Sequence, residues 1–325
     1  MTVFIARRLV RSVLVLFGVV TLTFVMIQLA PGDPARLYLG FNATPGQLAA
    51  ERHLLGEDQS AIVQYAIYIG HVFSGDLGRS LFTQNSVLST IGQRAPTTLE
   101  LAFLTLLVST AASLVLGMAA AWRRGSRLDD GVRTATVIGI SLPNFWLGLL
   151  LILVFGLYIR NVLPPSGWVS LTQDPAQNLY HAVLPAFVLS LPVVAIVTRT
   201  LRTSMLDALN TDYVVFARAM GMRERTVLRR IALPNAIIPT TTVIGISVGY
   251  LIGSSVIIEQ LFTIPGIGSL TVNGFAEKDY PVAIGGTLFI AFFFVAANFV
   301  VDVLYAYLNP KIRDLYLRRL RLADA

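Results

Sequence analysis

The chain has 325 residues, of which 55% are hydrophobic and 13% are charged. Soluble domains carry about 25% charged residues, so this composition excludes an ordinary soluble protein and predicts an integral membrane protein. The sequence has no cysteine, which excludes disulfide frameworks, thiolate metal sites and cysteine nucleophiles. The formal net charge is +7, but most positive residues flank apolar segments, so we expect contact with membrane lipid and no nucleic-acid partner.

Six apolar segments are each long enough to cross a hydrocarbon core about 30 Å thick, which takes about 20 helical residues. They lie near residues 10–30, 99–122, 134–158, 182–198, 239–258 and 281–304. We therefore expect an all-α integral membrane fold with about six transmembrane helices. The first segment follows a basic stretch, as in a signal peptide, but it is too long and lacks a small-x-small cleavage site, so we expect it to stay as an anchor.

Basic residues divide unevenly between the two sets of connecting segments. One set, together with both chain ends, carries nineteen of the 25 lysines and arginines and seven acidic residues. The other set carries six basic residues and ten acidic residues. Because cytoplasmic segments are enriched in Lys and Arg, we expect both termini to be cytoplasmic. The predicted regions are an N-terminal transmembrane helix (1–30), an extracytoplasmic helical segment (31–98), a transmembrane core (95–308) with a cytoplasmic loop (199–238), and a cytoplasmic tail (309–325).

The first extracytoplasmic segment contains helix signals. Thr44-Pro45 is a favourable helix start, and Ile62, Tyr65, Ile69 and Val72 share one helical face, which we expect to pack against the transmembrane helices rather than bind a ligand of its own. The segment 159–181 is rich in turn residues. The segment 259–280, which contains Pro265 and Gly266, is short enough to dip back toward the membrane where protein buries it.

Proline and glycine interrupt several of the apolar segments. Prolines inside membrane helices favour kinks, and kinked helices can line a path. Glycines at positions 245, 249 and 253 repeat every four residues and predict a close helix packing seam. The candidates for the translocation path or its gate are Pro143, Asn144, Pro185, Pro192, Gly245 and Gly249.

Three sequence patterns bear on possible chemistry. The stretch 245–249 matches G-x-S-x-G, but it lies in the middle of an apolar segment rather than at a strand-to-helix turn, so we expect packing and not hydrolysis. Asp302 is interpreted as the one acid well inside a span, and pairing with a cytoplasmic basic residue is favoured over a proton pathway. Neither Lys278 nor Lys311 lies in a Walker phosphate loop, so we expect no ATP hydrolysis by this chain itself.

A basic stretch between the fourth and fifth apolar segments has a fixed pattern. Gly221 is followed by nine residues and then by Ile231-Ala232-Leu233-Pro234, and seven arginines lie between positions 199 and 230. A solvated amphipathic helix needs no such pattern, so we expect a partner outside the membrane to contact this loop.

With these residues in place, the chain resembles the membrane subunits of binding-protein-dependent ABC importers, whose loop reads E-A-A, three residues, Gly, nine residues, I-x-L-P. Val215 stands where the family has the glutamate, with Phe216 and Ala217 at the two alanine positions. Four further stretches, at 31–34, 75–80, 98–101 and 309–311, are similar to the B-type permease of the dipeptide, oligopeptide and nickel branch.

The resemblance implies a type I ABC importer permease fold in a bacterial cytoplasmic membrane. It implies as partners a homologous second permease, two cytoplasmic ATPases that hold ATP and Mg²⁺, and an extracytoplasmic solute-binding protein. No catalytic residue, metal or cofactor is expected in this chain. Short peptides are the first substrate class, with nickel chelates, glutathione or oligosaccharides as alternatives, and a proton-coupled secondary transporter or an intramembrane hydrolase remains as a different class.

The resemblance also implies which residues do the coupling and docking. A rigid lever helix is expected around residues 217–228, with Gly221 allowing close backbone approach, Pro234 ending the segment, and arginines making polar contacts to the ATPase. The coupling-loop candidates are Ala217, Arg218, Ala219, Gly221, Arg223, Arg225, Ile231, Leu233 and Pro234. The candidates for docking of the binding protein are Asp76, Arg79, Pro265 and Gly266.

Overall fold

A computed structural model describes residues 2–29, 34–40, 43–54 and 58–308. Within these ranges the chain is helical, with two π-helical turns, Val154–Tyr158 and Val227–Ala232, and an isolated bridge between Arg79 and Ser86, so the all-α prediction is confirmed. The helices are α1 (Thr2–Leu29), α2 (Pro34–Leu39), α3 (Pro45–Leu54), α4 (Ala61–Ser74), α5 (Val87–Trp122), α6 (Arg127–Ser141), α7 (Asn144–Leu153), α8 (Pro175–Leu209), α9 (Asp212–Ala219), α10 (Glu224–Thr226), α11 (Leu233–Leu261), α12 (Ile267–Glu277) and α13 (Tyr280–Leu308). The predictions for 31–33 and for the tail 309–325 fall outside the described residues.

Five helical stretches of the described chain are long and apolar enough to cross a membrane, and a bent helix pair provides a sixth. The third predicted span, 134–158, is therefore not one straight helix: α6 and α7 meet at 96°. The break falls at Leu142, whose backbone is extended, and at Pro143. Proline has no N–H to donate and disfavours helical backbone in the residue before it, which explains the position of the break.

Several helices extend beyond the apolar segments that predicted them. α5 begins at Val87, about ten residues before the predicted boundary at 98. α8 continues to Leu209, so much of the predicted loop 199–238 is helical. Its start is fixed by Asp174, whose carboxylate accepts hydrogen bonds from the backbone N–H groups of Ala176 and Gln177. Polar turns continue a helix without adding to its apolar pattern, and this is why the prediction was too short.

The core lies between α5, α8, α11 and α13. α5 and α8 pack along each other, and α11 packs against both α8 and α13. Gly117 of α5 faces the side chain of Leu201, where a Cβ would lie only 2.9 Å from Cδ2, so the glycine is needed for close approach. The fully buried side chains at the centre include Leu101, Leu189, Leu251, Ile258 and Phe262.

The glycine repeat in α11 is a packing seam over two of its three positions. A Cβ on Gly245 would collide with Val301, and one on Gly249 would collide with Asn298 and Phe294, all on α13. Gly253 faces open space, so the predicted seam ends at Gly249. Ser247, between the two packed glycines, lies within the helix and donates to the carbonyl of Val243, which leaves no nucleophile elbow.

The helices between α1 and α5 confirm the predicted helix start and one part of the predicted apolar face. α3 begins at Pro45, and Thr44 and Gln47 form a reciprocal cap in which Thr44 N donates to Gln47 Oε1 at 2.9 Å. α4 packs against α1, where the hydroxyls of Tyr65 and Thr21 lie 2.5 Å apart. Ile62 is 80% exposed, so its assignment to the packed face was wrong.

Asp302 on α13 pairs with a basic residue. Arg8 Nη2 on α1 lies 2.8 Å from Asp302 Oδ1, and both side chains are partly exposed. The predicted pairing of Asp302 with a basic residue is confirmed, and the cytoplasmic position of that pair stays a prediction.

Candidate functional site

The basic loop between α8 and α11 folds as a short helix followed by a tight turn. α9 ends at Ala219, Met220 and Arg223 flank the turn, and the chain re-enters a helical path at α10. The prediction of one lever helix around 217–228 is therefore wrong, because a turn at 220–223 separates α9 from the helical residues that begin at Glu224. Gly221 has φ +78°, a conformation that glycine adopts without strain and that stops a right-handed helix.

Gly221 does not allow close approach of another segment in this chain. A Cβ at Gly221 would meet no atom within 4 Å, so its positive φ and not steric crowding requires glycine. Its backbone N–H donates to the carbonyl of Arg218 at 2.9 Å, and Met222 N donates to the carbonyl of Ala217 at 3.2 Å. These bonds satisfy the carbonyls at the end of α9 and define the direction of the turn.

α9 has one buried face and one exposed face. Val214 and Ala217 are buried against Val227 of the π-helical turn, with Leu209 and Ile231 packed around them. On the opposite side, Tyr213, Phe216 and Met220 are exposed and follow the helical spacing i, i+3, i+7. Phe216 is 67% exposed and Met220 is 70% exposed, so a ridge of large apolar side chains points away from the protein.

Two of the three arginines proposed for polar contacts bind within the chain. The guanidinium of Arg218 donates to Glu224, from Nη2 to Oε1 at 2.7 Å and from Nε to Oε2 at 3.1 Å, and this hydrogen bonding raises the pKa of Arg218 above its ordinary value. The guanidinium carbon of Arg225 lies 5.6 Å from the ring centroid of Trp122, a cation–π distance. Arg223 is exposed and precedes α10. Sequence reasoning therefore missed that the outward contact groups of α9 are mainly apolar.

The segment Ile231–Pro234 connects this loop to the transmembrane core. Ala232 is fully buried among Leu201 and Met205 of α8 and Ala121 of α5, and Leu233 packs against the same cluster. Pro234 is the second residue of α11, and the helical stretch Glu224–Leu261 continues through it, so the prediction that Pro234 ends the segment before the fifth span was wrong. A displacement of α9 would thus reach three transmembrane helices through adjacent buried side chains.

An ion pair missed by the sequence analysis lies beside this segment. Asp129, near the start of α6, is paired bidentately with Arg202 of α8, and its carboxylate also accepts from Gly125 N at 3.0 Å. The side chain of Asp129 is only 2% exposed. Arg202 is therefore engaged in the helix packing and is not a free loop arginine.

The candidates for the translocation path lie in different environments. Pro143 is exposed at the break between α6 and α7, and Asn144 Nδ2 donates to Tyr250 Oη at 3.2 Å on an exposed surface. Pro185 is buried and Pro192 is partly buried inside α8, which continues through both as one helix. Gly245 and Gly249 face α13. The structure does not bring these six residues together, and their part in a path stays a prediction.

The candidates for docking of the binding protein divide into exposed and buried residues. Asp76 and Arg79 are exposed, and Asp76 Oδ1 accepts from Gly78 N at 3.0 Å to shape the turn before α5. This turn is fixed by Ser80, which donates to Asp279 at 2.5 Å. Pro265 is partly exposed, whereas Gly266 is buried, so the docking prediction is wrong for Gly266.

Gly266 is buried because Glu259 lies against it. Glu259 is 0% exposed in the last turn of α11, and a Cβ on Gly266 would collide with its carboxylate. Glu259 Oε1 accepts from Thr98 Oγ1 at 2.7 Å, and Oε2 accepts from Ser269 N at 3.1 Å. The identification of Asp302 as the one acid well inside a span was therefore wrong, because the prediction ended the fifth span at residue 258. Glu259 is visible in the sequence as an acid at the end of an apolar segment. Its contact with Thr98, 161 residues away, is not.

Comparison with known proteins gives the family. The model described as "Binding-protein-dependent transport system inner membrane component" matches residues 113–314, and "Binding-prot-dependent transport system membrane comp, N-term" matches residues 1–102. The chain is 38% identical to the di/tripeptide transport system permease protein DppB of Pseudomonas aeruginosa, covering 95% of this chain and 98% of the relative.

Two further relatives show the same extent of similarity. The dipeptide transport system permease protein DppB of Lactococcus lactis is 37% identical over 96% of this chain and 100% of the relative. The oligopeptide transport system permease protein AppB of Bacillus subtilis is 35% identical over 96% of this chain and 99% of the relative. The chain therefore belongs to the family of binding-protein-dependent transport system inner membrane components, permease subunits with the type I ABC importer fold.

Proposed function

We propose that this chain forms half of the translocation path for short peptides in a bacterial cytoplasmic membrane. A homologous second permease forms the other half, an extracytoplasmic binding protein delivers the peptide, and two cytoplasmic ATPases bind ATP and Mg²⁺ and carry out the hydrolysis. The names of relatives that cover almost the whole chain support the substrate class. Both termini and the loop containing α9 lie on the cytoplasmic side in this proposal, in agreement with the distribution of arginines.

The observation that carries the coupling proposal is the exposed apolar ridge of α9. Tyr213, Phe216 and Met220 project from a helix whose other face is held by Val214 and Ala217 against Val227. Large apolar side chains presented together in a basic loop are typical of a protein–protein contact. We assign this ridge as the surface that docks in a groove of the ATPase, with Arg218 and Glu224 holding the end of the helix.

The buried side of α9 provides a route for coupling. Val227 connects α9 with the π-helical turn, and Ala232 connects that turn with Leu201 of α8 and Ala121 of α5. ATP binding can shift the permease between two conformations only if the ATPase interacts differently with each of them. A rigid α9 held against the core would transmit that difference because buried side chains cannot compress.

A substitution in the ridge tests the coupling proposal. Phe216→Ser removes the most central side chain of the ridge without touching the buried face, so we expect the ATPases to be lost on purification of the complex and ATP-driven uptake to fall at least tenfold. Phe82→Ser is the matched control, because Phe82 is also about as exposed, at 61%, but lies in the segment before α5. Retention of the ATPases by Phe216→Ser, or their loss from both variants, would contradict the assignment.

The substrate class requires a separate test. In proteoliposomes that contain the complete transporter, peptide-loaded binding protein should stimulate ATP hydrolysis, whereas unloaded binding protein should stimulate it less. Stimulation by a nickel chelate and by no peptide would move the substrate to the metal branch. Uptake driven by a proton gradient in the absence of ATP would overturn the class of transporter.

A further inference from the structure

A cavity of about 350 Å³ lies where the C-terminal end of α5 meets the π-helical turn before α11. We call it the Trp122 cavity. Met205 of α8 and Leu228, both almost fully buried, form its inner wall. Its remaining sides are formed by Val115, Met118, Ala119, Trp122, Arg225 and Arg229.

The rim of the Trp122 cavity is positively charged. Arg225 and Arg229 are both exposed, and no acidic side chain is among the residues that line the cavity. In the described part of the chain neither guanidinium forms an ion pair, in contrast to Arg218 and Arg202. Trp122 lies under Arg225 and is itself half-exposed, and tryptophan in membrane proteins is enriched at the level of the lipid headgroups.

The depth of the Trp122 cavity is apolar and continues along α5. Val115, about two turns before Trp122, is 63% exposed, and Leu107 continues an exposed apolar stripe toward the other end of the helix. Val115 is seven residues from Trp122 and Leu107 is fifteen, which correspond to about 10 Å and about 22 Å along a helix. One leaflet of a hydrocarbon core of about 30 Å is about 15 Å deep, so the stripe beyond Trp122 covers that depth. The stripe therefore has the length and the chemistry to lie beside one lipid acyl chain.

We propose that the Trp122 cavity binds an anionic phospholipid. Its phosphate accepts hydrogen bonds from Arg225 and Arg229, and an acyl chain lies over Ala119 and Val115 along α5. Guanidinium groups bind phosphate oxygens in a planar, bidentate geometry, and the ring of Trp122 already orients Arg225. A lipid satisfies both parts of the cavity at once, because its negative charge matches the two arginines, which form no ion pair within the described residues, and its acyl chain matches the apolar stripe.

The Trp122 cavity lies beside the segment that we assign to ATPase coupling. The lipid is a further ligand, distinct from the transported substrate and from the partner subunits of the proposed function. Arg225 and Arg229 flank Val227 and Leu228, and these two buried residues belong to the packing that holds α9 and the start of α11. A bound lipid would hold the two arginines at the headgroup level. The lipid is therefore expected to stabilise the position of the turn Val227–Ala232.

Lipid retention by the purified transporter tests the proposal. The full-length chain in complex with its partner subunits is purified in detergent and supplied with phosphatidylglycerol or phosphatidylcholine, and bound lipid is counted by native mass spectrometry. We expect retention of phosphatidylglycerol and not of phosphatidylcholine. Arg225→Gln with Arg229→Gln should weaken phosphatidylglycerol binding roughly 30-fold, because each basic side chain near the headgroups contributes about fivefold to the affinity.

Matched variants distinguish lipid binding in the Trp122 cavity from a general effect of positive charge in the loop. Arg223→Gln with Arg230→Gln removes two exposed arginines of the same loop that do not line the cavity, and should leave retention unchanged. Ala119→Phe keeps both arginines but fills the apolar depth, and should also weaken binding. Soluble glycerol phosphate should not compete with the lipid, because a free headgroup lacks the acyl chain.

Three results would overturn the proposal. Equal losses from the two double-arginine variants would show a general charge effect. Competition by glycerol phosphate that is insensitive to Ala119→Phe would show a phosphate site without a lipid. A photoreactive amino acid in place of Val115 that crosslinks to the second permease rather than to lipid would show that a protein subunit covers the cavity.

Discussion

The guanidinium of Arg202 donates two hydrogen bonds to the buried carboxylate of Asp129, from Nε to Oδ1 at 2.6 Å and from Nη2 to Oδ2 at 2.7 Å. This pair connects the start of α6 with α8, next to Leu201, which packs in the same cluster as Ala232. The pair therefore attaches α6 directly to α8, while the extended backbone at Leu142 and Pro143 separates α6 from α7.

Asp129→Asn should destabilise the protein much more than Asp130→Asn. Loss of one partner from a buried pair leaves the other charge uncompensated and costs about 3–5 kcal/mol. Asp130 pairs with Arg133 at 3.6 Å between side chains that are both largely exposed, and such a pair contributes about 1 kcal/mol or less. Thermal unfolding of the purified protein in detergent would measure the difference, and equal shifts for the two variants would refute it.

The loss of uptake caused by a substitution at Gly221 should depend on how readily the new residue adopts positive φ, and not on the size of its side chain. Gly221→Asn should retain most ATP-driven uptake, because asparagine adopts positive φ more readily than other residues with a side chain. Gly221→Val should lose most of it, because a β-branched residue at φ +78° costs at least about 1–2 kcal/mol and would redirect the chain after α9. A Cβ here meets no atom of this chain within 4 Å, so crowding within the chain predicts no loss for either variant. Equal losses of uptake for both variants would show that a partner excludes any side chain at this position, and would exclude the conformational explanation.

Glu259→Gln should loosen α12. Both carboxylate oxygens of Glu259 accept hydrogen bonds, whereas a glutamine has one carbonyl oxygen, so either the hydroxyl hydrogen of Thr98 or the N–H of Ser269 would lose its acceptor. Hydrogen exchange measured by mass spectrometry over residues 264–277 should become faster. Glu277→Gln, at an exposed position on the same helix, is the control, and unchanged exchange in the Glu259 variant would argue against this role.

Cysteine labelling tests the orientation. Because the native chain has no cysteine, Ser60→Cys and Arg223→Cys each introduce a single thiol at an exposed position. A membrane-impermeant reagent added to intact cells, after permeabilisation of any outer membrane, should label residue 60 and should reach residue 223 only after lysis. Labelling of both from the same side would contradict the six-span topology.

Asp302→Asn should have a small effect on transport. Asp302 and Arg8 are both partly exposed, and ion pairs of this kind contribute about 1 kcal/mol or less. Uptake and ATPase activity should therefore fall less than twofold to threefold, and the unpaired Arg8 remains able to reach lipid headgroups. Complete loss of uptake with normal assembly of the subunits would instead indicate a transport role for the carboxylate.

The amino-acid sequence alone was sufficient for the class, the family and most of the helices. Long apolar segments predict membrane helices because the backbone must satisfy its own hydrogen bonds in hydrocarbon, and this requirement acts locally. Pro143 predicted a break in the third span, and Thr44-Pro45 predicted the start of α3, because both effects arise within a few residues. The spacing to Ile231-Ala232-Leu233-Pro234 identified Gly221 as an important position. It did not show that the backbone there has positive φ, which is why the residue is glycine.

Only the tertiary structure decided which polar and apolar side chains of the loop are free to contact a partner and which are bound within the chain. The sequence suggested that Arg218 and Arg225 face a partner, but Glu224 and Trp122 bind them, and the exposed ridge consists of Tyr213, Phe216 and Met220. The pairs Asp129–Arg202 and Thr98–Glu259 join residues 73 and 161 positions apart. Contacts between distant residues depend on how the helices pack, and helix packing depends on complementary shapes over whole surfaces, which a local sequence pattern does not contain.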